Sequence, residues 1–158
     1  MPSGPIIETL VARGLTIAIA ESLTGGMLVA ELISTPGASA AVLGGVVAYN
    51  TDLKRTLLGV DARLLADRGA VDATVAEQMA DHVRSVLAVD GRAADIGLAT
   101  TGVAGPDPQD GHKVGTVYLG FAWGDRVFSQ RLSLSGSRQD IRLATVSESL
   151  AGLERLLE

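Results

Sequence analysis

The sequence predicts an α/β fold with a mostly parallel sheet covered by helices, and three observations carry that prediction. Residues 15–20 form a short apolar run containing β-branched side chains, typical of a buried parallel strand, and a helix-compatible run follows at residues 27–33. Residues 72–87 place apolar side chains on one helical face. Residues 115–134 alternate on either side of a turn at Gly124 and Asp125, which indicates an antiparallel hairpin.

The other elements are read from caps and periodicity. Gly14 is predicted to end a first helix, Thr51 and Asp61 to cap two short helices, Asp72 to open the central helix, and Ser137 to begin the last helix. The remaining predicted elements are a helix over residues 6–13, a strand over 42–49, short helices over 52–58 and 62–67, and a strand over 95–100. The predicted buried stripes are Val75, Met79, His82, Val83, Val86 and Leu87 in the central helix, and Leu143, Val146, Leu150, Leu153 and Leu157 in the last.

Composition limits the class of protein. A chain of 158 residues is long enough for one domain with a proper core, and 47% apolar against 20% charged residues excludes a disordered chain. The formal net charge of −5 and only 3% aromatics argue against nucleic-acid binding. The chain contains no cysteine, so thiol catalysis and zinc-thiolate sites are excluded. Glycine is abundant, at 19 residues, which suits tightly packed helix-on-sheet layers.

The N-terminal residues lack the basic flank and apolar run of a signal peptide, and every apolar stretch is interrupted before it reaches transmembrane length. We therefore expect a cytoplasmic protein of one domain over residues 1–158, without a membrane partner. The alanine- and glycine-rich helices lead us to expect a homo-oligomer.

Three polar, glycine-rich segments follow predicted strands. They are the turn that begins at Ser22, the region around Tyr49, and the loop over residues 101–111. In open α/β sheets, ligands bind beyond the carboxyl ends of the strands. The three segments are therefore predicted to meet along one edge of the sheet and to form a binding site there.

The turn after the first strand contains two candidate nucleophiles, Ser22 and Thr24, followed by Gly25 and Gly26. A strand-to-helix turn exposes backbone N–H groups and the positive end of a helix dipole, which suits a phosphate or an oxyanion. The alternative is a hydroxyl N-cap with glycines that ease the turn.

A serine nucleophile requires a base, and histidine is a poor candidate here. His82 lies on the predicted central helix and is interpreted as a helix-face or core residue, while His112 lies in a long loop. Lys54 follows the second strand among apolar neighbours, and burial that lowers its pKa toward neutrality would let it act as the base. The alternative for Lys54 is a solvated helix lysine. The Tyr49 hydroxyl could relay or donate a proton, and the alternative is an ordinary strand tyrosine with its hydroxyl at the surface.

Arg138 and Arg142 lie four residues apart at the start of the last helix, so they share a face that suits a phosphate. The alternative is pairing with Asp140 or a solvated face. No His, Asp or Glu spacing matches a metal-ligand set, and no dinucleotide or P-loop glycine motif is present. We therefore expect neither a metal nor a cofactor.

Taken in order, several motifs resemble the C-terminal domain of the CinA (competence-damage-inducible) family, the nicotinamide-nucleotide amidases. The matching motifs span residues 20–26, 44–50, 54–60, 101–106, 114–118 and 136–142. Two departures stand out. Leu23 occupies the place where the family usually has cysteine, and residues 107–111 replace a glycine-rich continuation. The larger family members carry a further N-terminal domain, so the chain looks like the standalone form.

The resemblance implies a three-layer α/β/α sandwich with a mixed, mostly parallel sheet. It implies hydrolysis of the carboxamide of nicotinamide mononucleotide, a small-molecule substrate, to nicotinate mononucleotide and ammonia. Ser22 would be the nucleophile, Lys54 its base and Tyr49 a supporting hydroxyl. The residues implied to hold the substrate are Thr24, Gly25, Gly26, Thr101, Gly102, Ala104, Gly105, Arg138 and Arg142.

Two other functions remain open on the sequence. One is a nucleotide-binding or protein-interaction module of the same fold whose hydrolytic residues are silent, which is favoured if Lys54 is exposed and remote from Ser22. The other is a hydrolase acting on another small amide or on a phosphorylated metabolite.

Overall fold

A computed structural model describes residues 3–158 of the chain. The strands are β1 (Ile17–Glu21), β2 (Val42–Val47), β3 (Ile96–Gly102), β4 (Thr116–Trp123) and β5 (Arg126–Ser133). The α-helices are α1 (Gly4–Arg13), α2 (Met27–Ile33), α3 (Thr51–Thr56), α4 (Ala62–Arg68), α5 (Ala73–Val86) and α6 (Arg138–Leu157). A 3-10 turn spans Ala38–Ala40. Among these residues, no helix combines the length and the apolar character that crossing a bilayer demands.

The five strands form one mixed sheet in the order β2-β1-β3-β4-β5. β1 pairs in parallel with both β2 and β3, whereas β4 is antiparallel to β3 and to β5. β5 therefore runs in the same direction as β3, and β4 alone runs the other way in this sheet. The predicted mixed, mostly parallel sheet and its antiparallel hairpin are confirmed.

The sheet buries both faces under helices. Ile17 and Ile19 of β1 and Leu98 of β3 belong to the core shared with α1, α2 and α6. The alternate residues, such as Ala18 and Ala20, belong to a second core with α5. Because side chains of a strand alternate between faces, a strand covered on both sides is apolar throughout. The three-layer α/β/α arrangement follows.

The layer under α5 is thin because the sheet offers it small residues. A Cβ added to Gly97 of β3 would overlap the carbonyl oxygen of Ala80, and one added to Gly120 of β4 would overlap that of Ala76. The backbone of α5 therefore approaches the sheet closely at these two positions. This is the tight helix-on-sheet packing that the glycine content predicted.

The ends of the helices follow the predicted chemistry with one correction. Asp61 and Asp72 cap α4 and α5 through their carboxylates, and Ser137 caps α6 in a reciprocal capping box with Asp140. The cap of α3, however, is Asn50 rather than Thr51, because Asn50 is extended and its Oδ1 accepts the N–H of Asp52 at 2.9 Å.

Two residues assigned to buried stripes are exposed. Leu143 of α6 is 51% exposed. It lies two residues after the buried Ile141, and two residues along a helix correspond to a rotation of about 200°, which places Leu143 on the opposite side. Val86, the last residue of α5, is 40% exposed. Val146, Leu150, Leu153 and Leu157 are buried as predicted.

Candidate active site

A cavity of about 340 Å³ lies beyond the carboxyl ends of β1, β2 and β3, a volume that suits a small ligand. Because these strands are parallel, the three polar segments that follow them meet there, as predicted. The lining residues are Ser22, Leu23, Tyr49, Asn50, Thr51, Lys54, Ala70, Val71, Thr101, Gly102, Val103, Ala104, Gly105, Asp107, Gln109 and Arg138.

Ser22 and Lys54 meet at the base of this cavity. Lys54 is the buried residue of the otherwise exposed helix α3, and its side chain is 1% exposed. Its Nζ donates to Ser22 Oγ at 2.9 Å and to the carbonyl oxygen of Ala48 at 2.8 Å. Ser22 is itself only 7% exposed. A hydroxyl and an amine in direct contact and sheltered from bulk water have the arrangement that a nucleophile and its base require.

Burial lowers the pKa of Lys54 from 10.5 to about 8, because desolvation penalises the charged ammonium. The carboxylate of Asp110 acts in the opposite direction and raises that pKa. Asp110 lies in the loop over residues 107–111, where its Oδ2 accepts the N–H of Ala70 at 3.3 Å. Near neutral pH, a population of Lys54 is therefore uncharged and able to accept a proton.

The turn after Ser22 is held by its neighbours. The Ser22 N–H donates to the carbonyl oxygen of Thr100 at 3.0 Å, and Thr24 Oγ1 shares a 2.8 Å hydrogen bond with Thr100 Oγ1. Thr24 is fully buried and lies outside the cavity lining. Of the two candidate nucleophiles, Ser22 alone contacts Lys54.

The N-terminus of α2 is already occupied by a carboxylate. Glu21, fully buried, accepts the N–H of Leu28 at 2.9 Å and the N–H of Val29 at 3.1 Å. A negative charge there satisfies the free N–H groups and the helix dipole. The turn at Gly25 and Gly26 lies outside the cavity lining, so the anion contact expected from this helix end is not placed at the cavity.

Arg138 places a guanidinium in the lining of the cavity. Its Nη2 donates to Tyr49 Oη at 2.9 Å, and its Nη1 donates to the carbonyl oxygen of Gly105. These contacts join α6, the end of β2 and the loop after β3. Tyr49 is 60% exposed, so its hydroxyl is held at the rim of the cavity by Arg138 rather than beside Ser22.

Arg142 does not line the cavity. Its guanidinium contacts the carbonyl oxygens of Leu23 and Thr24, on the turn after Ser22. Asp140 is engaged by Ser137, and hydrogen bonds from the side chain and backbone of Ser137 lower the pKa of its carboxyl. Neither arginine is paired with it.

The histidines lie away from the site. His82 Nδ1 is 2.7 Å from the carbonyl oxygen of Leu58, and His112 packs edge-on against Tyr118. Within residues 3–158, no group of three or more His, Cys, Asp or Glu residues could hold a metal ion.

The sequence reasoning missed Glu21, Asn50, Ala70 and Val71. An acidic residue at the end of an apolar strand was a usable signal for Glu21, because a buried carboxylate needs donors. Asn50 directly follows Tyr49 at the end of β2. Ala70 and Val71 precede α5 and carry no chemical signal; they reach the cavity because Thr101 Oγ1 donates to the carbonyl oxygen of Ala70 at 2.7 Å.

The family model of the CinA C-terminal domain matches residues 3–157. The chain belongs to the CinA family. A CinA-like protein of Frankia casuarinae is 46% identical over 154 residues, which are 98% of this chain and 34% of that protein. A putative competence-damage inducible protein of Geobacillus kaustophilus is 48% identical over 140 residues, which are 88% of this chain and 33% of that protein. The chain thus spans about a third of the length of these curated relatives.

Solved structures of CinA proteins share the fold. A CinA superfamily protein from Klebsiella pneumoniae superposes with a TM-score of 0.91 at 30% identity, over 98% of this CinA domain and 94% of that chain. A competence/damage inducible protein from Agrobacterium tumefaciens gives a TM-score of 0.88 at 35% identity, over 98% and 92% of the two chains. The α/β architecture is therefore that of the CinA superfamily.

Proposed function

We propose that this CinA domain hydrolyses the carboxamide of nicotinamide mononucleotide to nicotinate mononucleotide and ammonia, by a Ser-Lys mechanism. The observation that carries the proposal is the 2.9 Å contact between Lys54 Nζ and Ser22 Oγ in a sheltered cavity. The substrate comes from the resemblance to the amidases of the family. A binding module without activity would be favoured by an exposed Lys54 remote from Ser22. Lys54 is instead buried and in contact with Ser22, which favours the enzyme.

In the first step, neutral Lys54 accepts the Ser22 hydroxyl proton while Oγ attacks the carboxamide carbon. The resulting tetrahedral intermediate collapses, the carbon–nitrogen bond breaks, and the Lys54 ammonium returns the proton to the departing nitrogen, which leaves as ammonia. Water then attacks the Ser22 ester while Lys54 accepts one of its protons. The bond between the acyl carbon and Ser22 Oγ breaks, the Lys54 ammonium returns the proton to Oγ, and the acid product leaves as a carboxylate after losing its proton to solvent. The chemistry needs no redox partner.

The oxyanion of the intermediate requires donors near Ser22. The backbone N–H of Leu23 follows the nucleophile directly, Leu23 lines the cavity, and within the described residues this N–H is not paired with an acceptor. The N–H after a nucleophile commonly serves as such a donor in hydrolases. We assign the Leu23 N–H to the oxyanion, in place of the glycines farther along the turn, which lie outside the cavity lining.

The direct test is ammonia release from nicotinamide mononucleotide by the purified chain in the presence of a chelator. Stoichiometric ammonia and nicotinate mononucleotide are expected. Thermal stabilisation by the mononucleotide without turnover would instead support a binding module. Release of ammonia only from other small amides would reject the proposed substrate and keep the hydrolase.

Arg138 is the cavity's candidate for the substrate phosphate. We expect Arg138→Ala to raise KM for the mononucleotide about 10- to 100-fold, the range for a lost charge-assisted hydrogen bond. The matched comparison is nicotinamide riboside, which lacks the phosphate, and its kcat/KM should change little in the same variant. Equal losses for nucleotide and nucleoside would contradict the assignment.

The activity should depend on pH through Lys54. A base must be uncharged, so kcat/KM is expected to rise with pH and reach a plateau, with the midpoint of the rise near the Lys54 pKa of about 8. Asp110→Asn removes the charge that raises this pKa, so its midpoint should move to lower pH and its activity at pH 7 should increase relative to the plateau. Asp52→Asn, on the exposed side of α3, is the control. An unshifted midpoint in Asp110→Asn would contradict this role.

A further inference from the structure

The sequence predicts Arg142 beside Arg138 as a second phosphate ligand, but in the structure its side chain contacts the turn that follows Ser22. Arg142 Nε donates to the carbonyl oxygen of Leu23 at 2.9 Å, and Nη2 donates to that of Thr24 at 3.3 Å. The remaining Nη1 donates to Gln139 Oε1 at 3.0 Å, on the same helix. Every nitrogen of this guanidinium therefore already has an acceptor within the protein.

These contacts complete the carbonyl bonding of the turn. The carbonyl oxygen of Ser22 accepts the N–H of Gly25, and that of Thr24 accepts the N–H of Met27, each at 3.1 Å. For the carbonyl oxygen of Leu23, Arg142 Nε is the one donor found among residues 3–158. Without Arg142, the Leu23–Thr24 peptide group would lose its fixed partner.

The direction of that peptide matters for chemistry. A trans peptide is planar, so its N–H points opposite to its C=O. The Thr24 carbonyl held toward Arg142 directs the Gly25 N–H of the same peptide away from the guanidinium, toward the Ser22 carbonyl that accepts it. The Gly25 N–H bond to the Ser22 carbonyl fixes the Leu23 N–H in the same manner.

We infer that Arg142 is a positioning residue, which clamps the turn after Ser22 and, through the Gly25 N–H and the Ser22 carbonyl, holds the Leu23 N–H ready for the oxyanion. The inference rests on the proposed role of Ser22 as the nucleophile. It separates the roles of the first two arginines of α6: Arg138 faces the cavity, and Arg142 acts on the substrate only through the turn.

The kinetic test is Arg142→Ala, with ammonia release as the readout. We expect kcat to fall about 100-fold, the loss associated with misplacing catalytic groups by about 1 Å, while KM changes less than about 3-fold. Added methylguanidine should restore part of kcat. Arg142→Lys keeps the aliphatic part of the side chain but offers one ammonium in place of two donating guanidinium nitrogens. Its kcat should therefore lie between those of the wild type and Arg142→Ala. The matched control is Arg155→Ala, on the same helix; Arg155 Nη2 donates to Gln130 Oε1 at 3.2 Å, and this variant should behave as wild type.

The structural test does not depend on the substrate. Amide hydrogen exchange by NMR should show faster exchange of the Gly25 and Met27 N–H groups in Arg142→Ala and in Arg142→Lys, but not in Arg155→Ala. If the wild type releases no ammonia, the proposed function fails, and this experiment still decides whether Arg142 holds the turn.

Two results would overturn the inference. A raised KM with kcat preserved in Arg142→Ala would make Arg142 a substrate ligand. Unchanged exchange at Gly25 and Met27 in both Arg142 variants would show that the turn holds its shape without the guanidinium.

Discussion

Lys54→Met should abolish ammonia release and at the same time make the protein more stable. Loss of the base is expected to lower kcat by about 10⁴-fold, comparable to removing one member of a catalytic triad. Methionine has a similar length and no charge, so it fills the space of a side chain that is 1% exposed. The change therefore separates catalysis from folding.

The stability gain follows from the direction of the pKa shift. Lowering the pKa of Lys54 from 10.5 to about 8 in the folded state corresponds to about 3 kcal/mol against folding below pH 8. Between about pH 8 and 10.5 the unfolded chain binds more protons than the folded one, so the free energy of unfolding of the wild type rises with pH in that window. Lys54→Met should lack this rise and unfold at a higher temperature at pH 7.

Ser22→Ala is the matched control for catalysis. It should lose activity to a similar extent and keep the pH-dependent stability, since Lys54 remains buried. The measurements are ammonia release and thermal unfolding from pH 7 to 10.5. A Lys54→Met protein that is less stable than wild type at pH 7 would contradict the claim that the buried amine destabilises the fold.

Gly97→Ala should destabilise the domain by about 3 kcal/mol, at the upper end of the usual range for overpacking a core. The added Cβ would overlap the carbonyl oxygen of Ala80, which is backbone of α5 and cannot rotate away. Either α5 must move off the sheet or β3 must shift. For a domain of this size, the melting temperature should fall by about 6–12 °C.

Gly4→Ala provides the control for this substitution. Gly4 lies in the first turn of α1, and a Cβ there meets nothing within 4 Å. Alanine favours a helix over glycine, so this variant should be as stable as wild type or slightly more stable. A Gly97→Ala protein that melts with the wild type would show that α5 is not packed directly on β3.

Much of the fold follows from local signals. The apolar run before Ser22, the caps at Asp61, Asp72 and Ser137, and the alternating hairpin are each encoded within a few residues, and the structure confirms them. The errors have local causes too. Thr51 and Asn50 both suit an N-cap, and only their backbone conformations separate them.

The prediction of the site from the sequence was less complete. The sequence identified Ser22, Lys54, Tyr49 and Arg138, because polar side chains after parallel strands meet at one edge of a sheet. It did not find the burial of Glu21 at the helix that follows. The carboxylate of Glu21 reaches the first N–H groups of α2 only because of how the turn between β1 and α2 folds.

By itself, the sequence determined the order of strands and helices and the residues that end up beyond the strands, since helix, strand and cap preferences act over short distances. Only the tertiary structure decided that Lys54 Nζ lies 2.9 Å from Ser22 Oγ and how far burial lowers the pKa of Lys54. It also decided that Arg142 faces the turn while Arg138 faces the cavity. Desolvation and direct contact depend on residues distant in the chain, and no local pattern encodes their distances.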